Sequence, residues 1–369
     1  MNRICIKKNV WSIALAGLCG LAFVASCSEK DDPYVSPEKE AEKALTRELA
    51  DSLWQSFNTA SPFVDGTDAV PTDINADYYE DYAETWLADE ETRDVTLIFD
   101  GDNVTVNYDP DTKSKDMKFV HITCQGAHVI IRNDSVKNDV AEGRARMNYI
   151  LKGRSDDGSV RIYSNKKFML TLDGLSLTNT RGAAISVQKS FDKKRVFLNV
   201  LKGTENALCD AENYTDTVAG EDDKGCLFSE GKLILMGEGK LSVTGNYAHA
   251  IAADDRIHIH RGVQLYVLGA PKDGIHVKDE LVQSGGYVEV FATKDAVQCD
   301  SVSDGYVLRG GRMMACAKRA LTARPFVYNG GSFCLVGNDC SLPTDSLSTA
   351  TNWSSAEVSK GIFVVQSTK

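Results

Sequence analysis

Residues 270–300 read APKDGIHVKDELVQSGGYVEVFATKDAVQCD. Lys272-Asp273-Gly274-Ile275 returns 22 residues later as Lys294-Asp295-Ala296-Val297. A charged pair, a small residue and an aliphatic residue recur as a unit. Further out, the small-aliphatic pair occurs as Cys226-Leu227, Ala250-Ile251, Gly274-Ile275, Ala296-Val297 and Ala320-Leu321, at spacings of 24, 24, 22 and 24. Glycine turns followed by alternating runs lie between, as in Gly285-Gly286-Tyr287-Val288-Glu289-Val290 and Gly310-Gly311-Arg312-Met313-Met314-Ala315. Alternation punctuated by turns predicts short strands, at least two per period. A propeller blade needs about 40 residues per repeat, which is too long. A leucine-rich repeat shares the period, but its Leu-x-x-Leu-x-Leu signature is missing. The remaining reading is an all-β solenoid, a parallel β-helix whose coils stack about 4.8 Å apart.

Stacking at one period turns the repeat into columns. Ile251, Ile275, Val297 and Leu321 become one inward aliphatic stack, with the small residue at a tight corner and the charged pair outside it. The column before the small residue reads His249, Asp273, Asp295, Arg319, and the one before that Ala248, Lys272, Lys294, Lys318. A second acidic cluster follows at Glu230, Asp254 and Asp255, Asp279, and Asp300. Carboxylates about 5 Å apart raise each other's pKa unless a cation sits between them. Calcium, with six to eight hard oxygen ligands, suits such an edge, and Asp254, Asp255, Asp273, Asp279, Asp295 and Asp300 are the candidate ligands. The competing explanation is turn chemistry, since aspartate caps its own backbone at bends.

The rest of the chain sets the context. Its 369 residues are 43% hydrophobic, enough to bury a sizeable core. Arg3, Lys7 and Lys8 precede an uncharged, mostly apolar run, Trp11 to Val24, too short to span a bilayer but suited to a signal peptide. It ends in Val24-Ala25-Ser26-Cys27, which resembles a bacterial lipobox, so residues 1–26 are expected to be removed and Cys27 lipidated. An ordinary signal peptide with an incidental Cys27 is the alternative. Ser28-Glu29-Lys30-Asp31-Asp32 resembles a surface-export signal of some Gram-negative anaerobes, implying an outer-membrane lipoprotein exposed at the cell surface. Losing Arg3, Lys7 and Lys8, and no acid, takes the net charge from −11 to −14, which disfavours nucleic acid and anionic membrane as partners.

Residues 27–36 read as a tether. Ser36 and Pro37 open a predicted helix to about Asn58, with Leu45, Leu49, Leu53 and Trp54 in one stripe. This helix is a candidate cover for one end of the coil stack. Residues 59–93 form an acidic linker, 94–340 the repeating domain, and 341–369 a closing segment ending in Ile362-Phe363-Val364-Val365. Seven cysteines outlast the signal and the lipid site, with no CxxC spacing for zinc, and are read as small hydrophobes or as a disulfide between coils.

A series of motifs carries a resemblance. It runs from Asp173-Gly174-Leu175 through Gly203-Thr204-Glu205-Asn206-Ala207-Leu208-Cys209-Asp210, Gly225-Cys226-Leu227-Phe228-Ser229-Glu230-Gly231 and Gly239-Lys240-Leu241-Ser242-Val243-Thr244-Gly245-Asn246-Tyr247. It continues to Asp273-Gly274-Ile275-His276 and Gly285-Gly286. Over roughly 94–340 the chain resembles the carbohydrate-binding right-handed β-helix proteins typified by a clostridial pectin-binding protein. Their fold is similar to that of family-nine pectate lyases. The resemblance implies a right-handed coil, bound calcium and affinity for an acidic plant polysaccharide such as polygalacturonate. The chain departs from the Asp-Gly-Ile pattern at His249-Ala250-Ile251, Asp295-Ala296-Val297 and Arg319-Ala320-Leu321.

Lys272, Lys294, His249, His276 and Tyr247 are the candidate sugar contacts. The favoured reading is a non-catalytic binding protein. One alternative is a pectate-lyase-like enzyme, in which a lysine with a lowered pKa removes the proton beside a uronate carboxylate. Another is a structural surface protein or adhesin. His258 and His260 are expected on a solvated strand face, without a third zinc ligand. Tyr247, Tyr266, Tyr287 and Tyr306 are possible stacking faces. No phosphate loop, GxSxG elbow or HExxH motif is present.

Overall fold

The computed structural model describes residues 47–60, 62–65, 92–109, 119–134, 146–189, 195–337, 357–359 and 362–365. It is an all-β chain of mostly parallel strands with one described helix, α1 (Arg47–Ala60). The signal-peptide and tether residues, Cys27, and the Ser36 cap lie outside the described residues.

The first strands form hairpins. β1 (Thr92–Asp100) and β2 (Asn103–Tyr108) pair antiparallel, as do β3 (His121–Gln125) and β4 (Ala127–Asn133). After β5 (Arg146–Ser155), β6 (Gly158–Ser164) and β7 (Phe168–Thr178), each new strand pairs in parallel with one two or three elements earlier. One ladder runs β8 (Ile185–Gln188), β11 (Gly225–Ser229), β14 (His249–Ala253), β17 (Asp273–Val277), β20 (Asp295–Cys299) and β23 (Arg319–Thr322). A second includes β12 (Leu233–Gly237), β15 (Ile257–Ile259), β18 (Glu280–Gln283), β21 (Gly305–Leu308) and β24 (Phe326–Tyr328). A third includes β13 (Lys240–Thr244), β16 (Gln264–Gly269), β19 (Tyr287–Phe291), β22 (Arg312–Cys316) and β25 (Ser332–Val336). Three strands per period therefore stack in step. At the far edge, β27 (Ile362–Val365) pairs antiparallel with β25.

The register matches the columns read from the sequence. Leu227, Ile251, Ile275, Val297 and Leu321 face one another down the first ladder, all buried in a single core cluster. The small residue before each lies in the same cluster: Cys226, Ala250, Ala296 and Ala320. Two consecutive residues can face inward only if the strand bends between them, and Gly274 shows how tight the bend is. A Cβ there would come 2.2 Å from Val290 Cγ1 and 2.8 Å from the Ala296 carbonyl oxygen. The paired glycines have their own reason: Gly286 and Gly311 precede adjacent strands at positive φ, and a Cβ on Gly311 would lie 2.4 Å from the Gly286 oxygen.

α1 buries Ala50, Leu53, Trp54 and Phe57 against Met314, Cys316, Cys334 and Val336. These partners alternate with Met313, Ala315 and Leu335, which point into the main core. The helix therefore lies on the outer face of the third ladder, rather than over the open end of the stack as the sequence suggested. Arg312 donates to Asn58 Oδ1 at 2.6 Å, and Asp65 Oδ2 accepts from the Gly262 and Gly286 amides at 2.8 and 3.0 Å. The six described cysteines are unbridged, four of them buried as small apolar residues. Tyr306 is buried, donating to Gln283 at 2.7 Å, and is no sugar platform. His258 is also fully buried, 2.7 Å from Ser284 Oγ, because its strand face is covered rather than solvated.

Candidate functional site

The charged column sits at the first residues of β14, β17, β20 and β23 in the order His249, Asp273, Asp295, Arg319. It differs from the expected exposed edge: Asp273 and Asp295 have no solvent exposure. A bare carboxylate could not stay ionised there. Each is matched by cationic or donor groups from its own and neighbouring strands.

Asp295 receives Arg319 through both oxygens, at 2.5 and 2.6 Å, and Thr322 Oγ1 at 2.7 Å. Lys294 bridges the two aspartates, 3.1 Å from Asp273 Oδ1 and 3.0 Å from Asp295 Oδ2, and donates to Gln298 at 2.9 Å. The other oxygen of Asp273 faces His249 Nδ1 and His276 Nδ1, each at 3.1 Å. The His276 contact is an aligned hydrogen bond. The His249 contact is off-axis, so that buried nitrogen has no aligned hydrogen-bond partner. The two rings stack, with centroids 4.3 Å apart and planes 25° from parallel. His276 Nε2 lies 3.4 Å from Asp300 Oδ2, and Gln298 donates to the other Asp300 oxygen at 2.7 Å.

Electrostatics follow from these contacts. Burial alone would raise the Asp273 pKa, but the imidazoles of His249 and His276, each 3.1 Å away, and the Lys294 ammonium hold it well below the carboxylate range. Burial lowers the His249 pKa, which Asp273 only partly offsets. Burial would lower Lys294 too, but hydrogen bonds and charge from Asp295 and Asp273 outweigh it and push the ammonium up. A lysine base needs the opposite shift, so Lys294 is poorly disposed to remove a proton.

The other candidates separate into two groups. Asp254 is buried between Lys224 at 3.3 Å and Lys278 at 3.5 Å. Asp255 accepts from the Arg256 amide at 2.8 Å, and Asp279, one period on, is exposed. Lys272 is exposed beside the column. Calcium requires a shell of oxygens at about 2.3–2.6 Å. Asp254, Asp273 and Asp295 spend their carboxylates on ammonium, guanidinium and imidazole nitrogens, and do not fit that ion. The pairing of Asp295 with the Arg319 guanidinium and the Thr322 hydroxyl was not anticipated from sequence. The signal was present, because both stand one period beyond Asp295 and Gln298 in the same columns.

Tyr247 is 45% exposed and stacks on Tyr214, with centroids 4.2 Å apart and planes 21° from parallel. Tyr214 donates to Asp210 Oδ2 at 2.7 Å, and the Asn246 amide donates to Asp210 Oδ1 at 2.5 Å. Burial raises the Asp210 pKa to about 6, against the pull of these hydrogen bonds. Burial and the Asp210 charge push the Tyr214 hydroxyl far up. Tyr214 was not anticipated, since it lies in a loop outside the repeat. Tyr266 and Tyr287 lie on the third ladder, and Phe63 packs over Tyr287 with centroids 5.5 Å apart.

The family model described as carbohydrate-binding domain-containing protein matches residues 138–368, more than half of the chain. The chain belongs to the carbohydrate-binding domain family. A curated relative of that name from Acetivibrio thermocellus is 28% identical over 150 residues, covering 37% of this chain and 51% of the relative. The chain thus matches about half the length of that relative. A solved structure described as a polysaccharide lyase-like protein from C. thermocellum, a gadolinium derivative, aligns with a TM-score of 0.45 at 19% identity, over 65% of this chain and 93% of that one. The family-model match, residues 138–368, takes in the ladders that carry the charged column.

Proposed function

We propose that this protein is a non-catalytic polysaccharide-binding lipoprotein of the outer membrane, exposed at the cell surface. In this reading the stacked ladders are coils of a right-handed parallel β-helix over 94–340, displayed beyond a lipid anchor at Cys27. Residues 1–26 are its signal peptide, 27–36 its tether, 37–93 the helix and linker, and 341–369 its last segment. The observation that carries the reading is the exposed Tyr247 ring, which is braced by Tyr214 and stands two positions before His249 in sequence. An aromatic face beside charged donors is what a sugar ring needs: an apolar surface for its C–H bonds and polar groups at its rim.

Acidic glycan is favoured, with Lys272 and the exposed side of Lys294 meeting sugar carboxylates and His276 at the rim. Calcium enters only at Asp255 and Asp279, bridging to the sugar. The raised Lys294 pKa supports binding over β-elimination.

Calorimetric titration with polygalacturonate, in calcium and then in chelator, tests this while absorbance of an unsaturated product is followed. Saturable heat with flat absorbance is expected. Tyr247→Ala should weaken binding about tenfold, the size of one lost aromatic contact. Rising absorbance would establish a lyase instead. No heat with acidic or neutral glycans would leave a structural surface protein.

A further inference from the structure

His249, Asp273 and His276 bring three potential ligand atoms, two imidazole nitrogens and one carboxylate oxygen, within 4.8 Å of one another. The polysaccharide reading does not require this convergence, and the contacts around it are unusual for a hydrogen-bond network. Asp273 Oδ2 faces both Nδ1 atoms at 3.1 Å. His276 Nε2 already faces Asp300 at 3.4 Å. If that nitrogen carries the proton of a neutral ring, His276 Nδ1 presents a lone pair to a carboxylate lone pair. His249 Nδ1 is buried, aimed at the same oxygen, and has no aligned hydrogen-bond partner. Either a proton on an imidazole or a metal ion must relieve this crowding, and the orphaned His249 nitrogen favours the metal.

We propose that His249, Asp273 and His276 form a binding site for a borderline divalent metal of the zinc class. The donor set decides the class. Two nitrogens and one carboxylate suit zinc, cobalt, nickel or copper, whereas calcium takes oxygen alone. Ligands about 2.0–2.1 Å from zinc lie roughly 3.3 Å from each other in a tetrahedral shell. Both nitrogen–oxygen separations, 3.1 Å, are close to that value. The rings lie with centroids 4.3 Å apart, and both Nδ1 atoms stand beside the same carboxylate oxygen. Asp300 supports the second nitrogen of His276, the carboxylate–histidine–metal arrangement that fixes a ligand's tautomer. Lys294 holds the other oxygen of Asp273 at 3.1 Å, leaving Oδ2 for the metal. Three protein ligands leave one position open at the partly exposed His276 side.

The test uses no sugar, so it succeeds or fails independently of glycan binding. The full chain, stripped with chelator, is titrated with zinc by calorimetry and with cobalt by visible absorption. One equivalent with micromolar or tighter affinity is expected. Cobalt should give ligand-field bands of a four- or five-coordinate nitrogen site, without the thiolate charge-transfer band that cysteine ligation would add. His276→Gln and His249→Gln should each weaken zinc at least tenfold, while exposed His121→Gln leaves it unchanged. In the unaltered chain, copper bound at one equivalent should show pulsed-EPR couplings to two imidazoles, which tests the ligands even if a variant fails to fold. No stoichiometric zinc, a thiolate spectrum, fewer than two coupled imidazoles, or calcium displacing zinc at equal concentration would overturn the proposal.

Discussion

Asp210 and Asp273 are both buried aspartates, at 3% and 0% exposure, yet their pKa values move in opposite directions. Burial raises both. Asp210 has only neutral donors, from Tyr214 and the Asn246 and Tyr247 amides, and rises to about 6. Asp273 stands among two imidazoles and an ammonium, and is held well below the usual range. Desolvation therefore sets a common penalty, and the charge of the partners decides which protonation state survives. The difference comes from placement. Asp210 follows β10 (Glu205–Cys209) and is served by a loop. Asp273 begins β17, with His249 at the start of β14 on one side and Lys294, just before β20, on the other.

The largest way to break this contrast is to remove the ionised member. Asp273→Ala leaves His249, His276 and Lys294 without their shared anion, and should cost about 3 kcal/mol, as for one partner of a buried ion pair. Denaturant unfolding in chelator, with an unchanged slope, measures it. A loss below about 0.5 kcal/mol would mean the exposed flank of Lys294 lets water replace the pair.

Next in size is the bend that seats Asp273. Gly274→Ala places a Cβ against Val290 and the Ala296 carbonyl, and should cost about 2 kcal/mol by overpacking. The same unfolding experiment reads this cost. Alanine already occupies 250, 296 and 320, so a neutral result would show that the bend is equally permissive in every repeat.

The pH dependence sharpens the contrast directly. The folded pKa of Asp210 is above its unfolded value, so its stabilising contribution is present at low pH and lost as pH rises from about 4 through about 6. Asp273 is depressed, so its contribution is present above the unfolded carboxylate pKa and lost as pH falls below it. Carbon-13 NMR of aspartate carboxyls should show one group with a midpoint near 6, absent in Asp210→Asn. That variant should also flatten stability between about pH 4 and about pH 6, the interval between the unfolded and folded pKa of Asp210.

The smallest effect belongs to the exposed lysine beside the column. Lys272→Ala should change stability by less than about 0.5 kcal/mol. Weakened binding to polygalacturonate with unchanged stability would place its role with the ligand rather than the fold.

Much of this was legible from spacing. The recurrence of Ile251, Ile275, Val297 and Leu321 at 22–24 residues predicted the column that the register displays, because strands stacked one period apart must superpose equivalent residues. The same logic aligned Asp273 with Asp295 and Asp295 with Arg319. Spacing did not reveal that these acids are buried, and so their expected role as an open calcium edge changed. Nor did it reveal that the helix would cover Met314, Cys316, Cys334 and Val336. An outer-face Met or Cys in an alternating strand reads the same whether it meets water or another element.

The sequence by itself determined the all-β class, the period and the columns, because a repeat imposes its register on any stack that buries its aliphatic residues. The tertiary structure decided the chemical state of each column. Which carboxylate is neutralised, which rings stack and which tyrosine stays exposed depend on side chains and loops that meet only after the chain has closed a full period. Burial then makes each of those meetings count electrostatically.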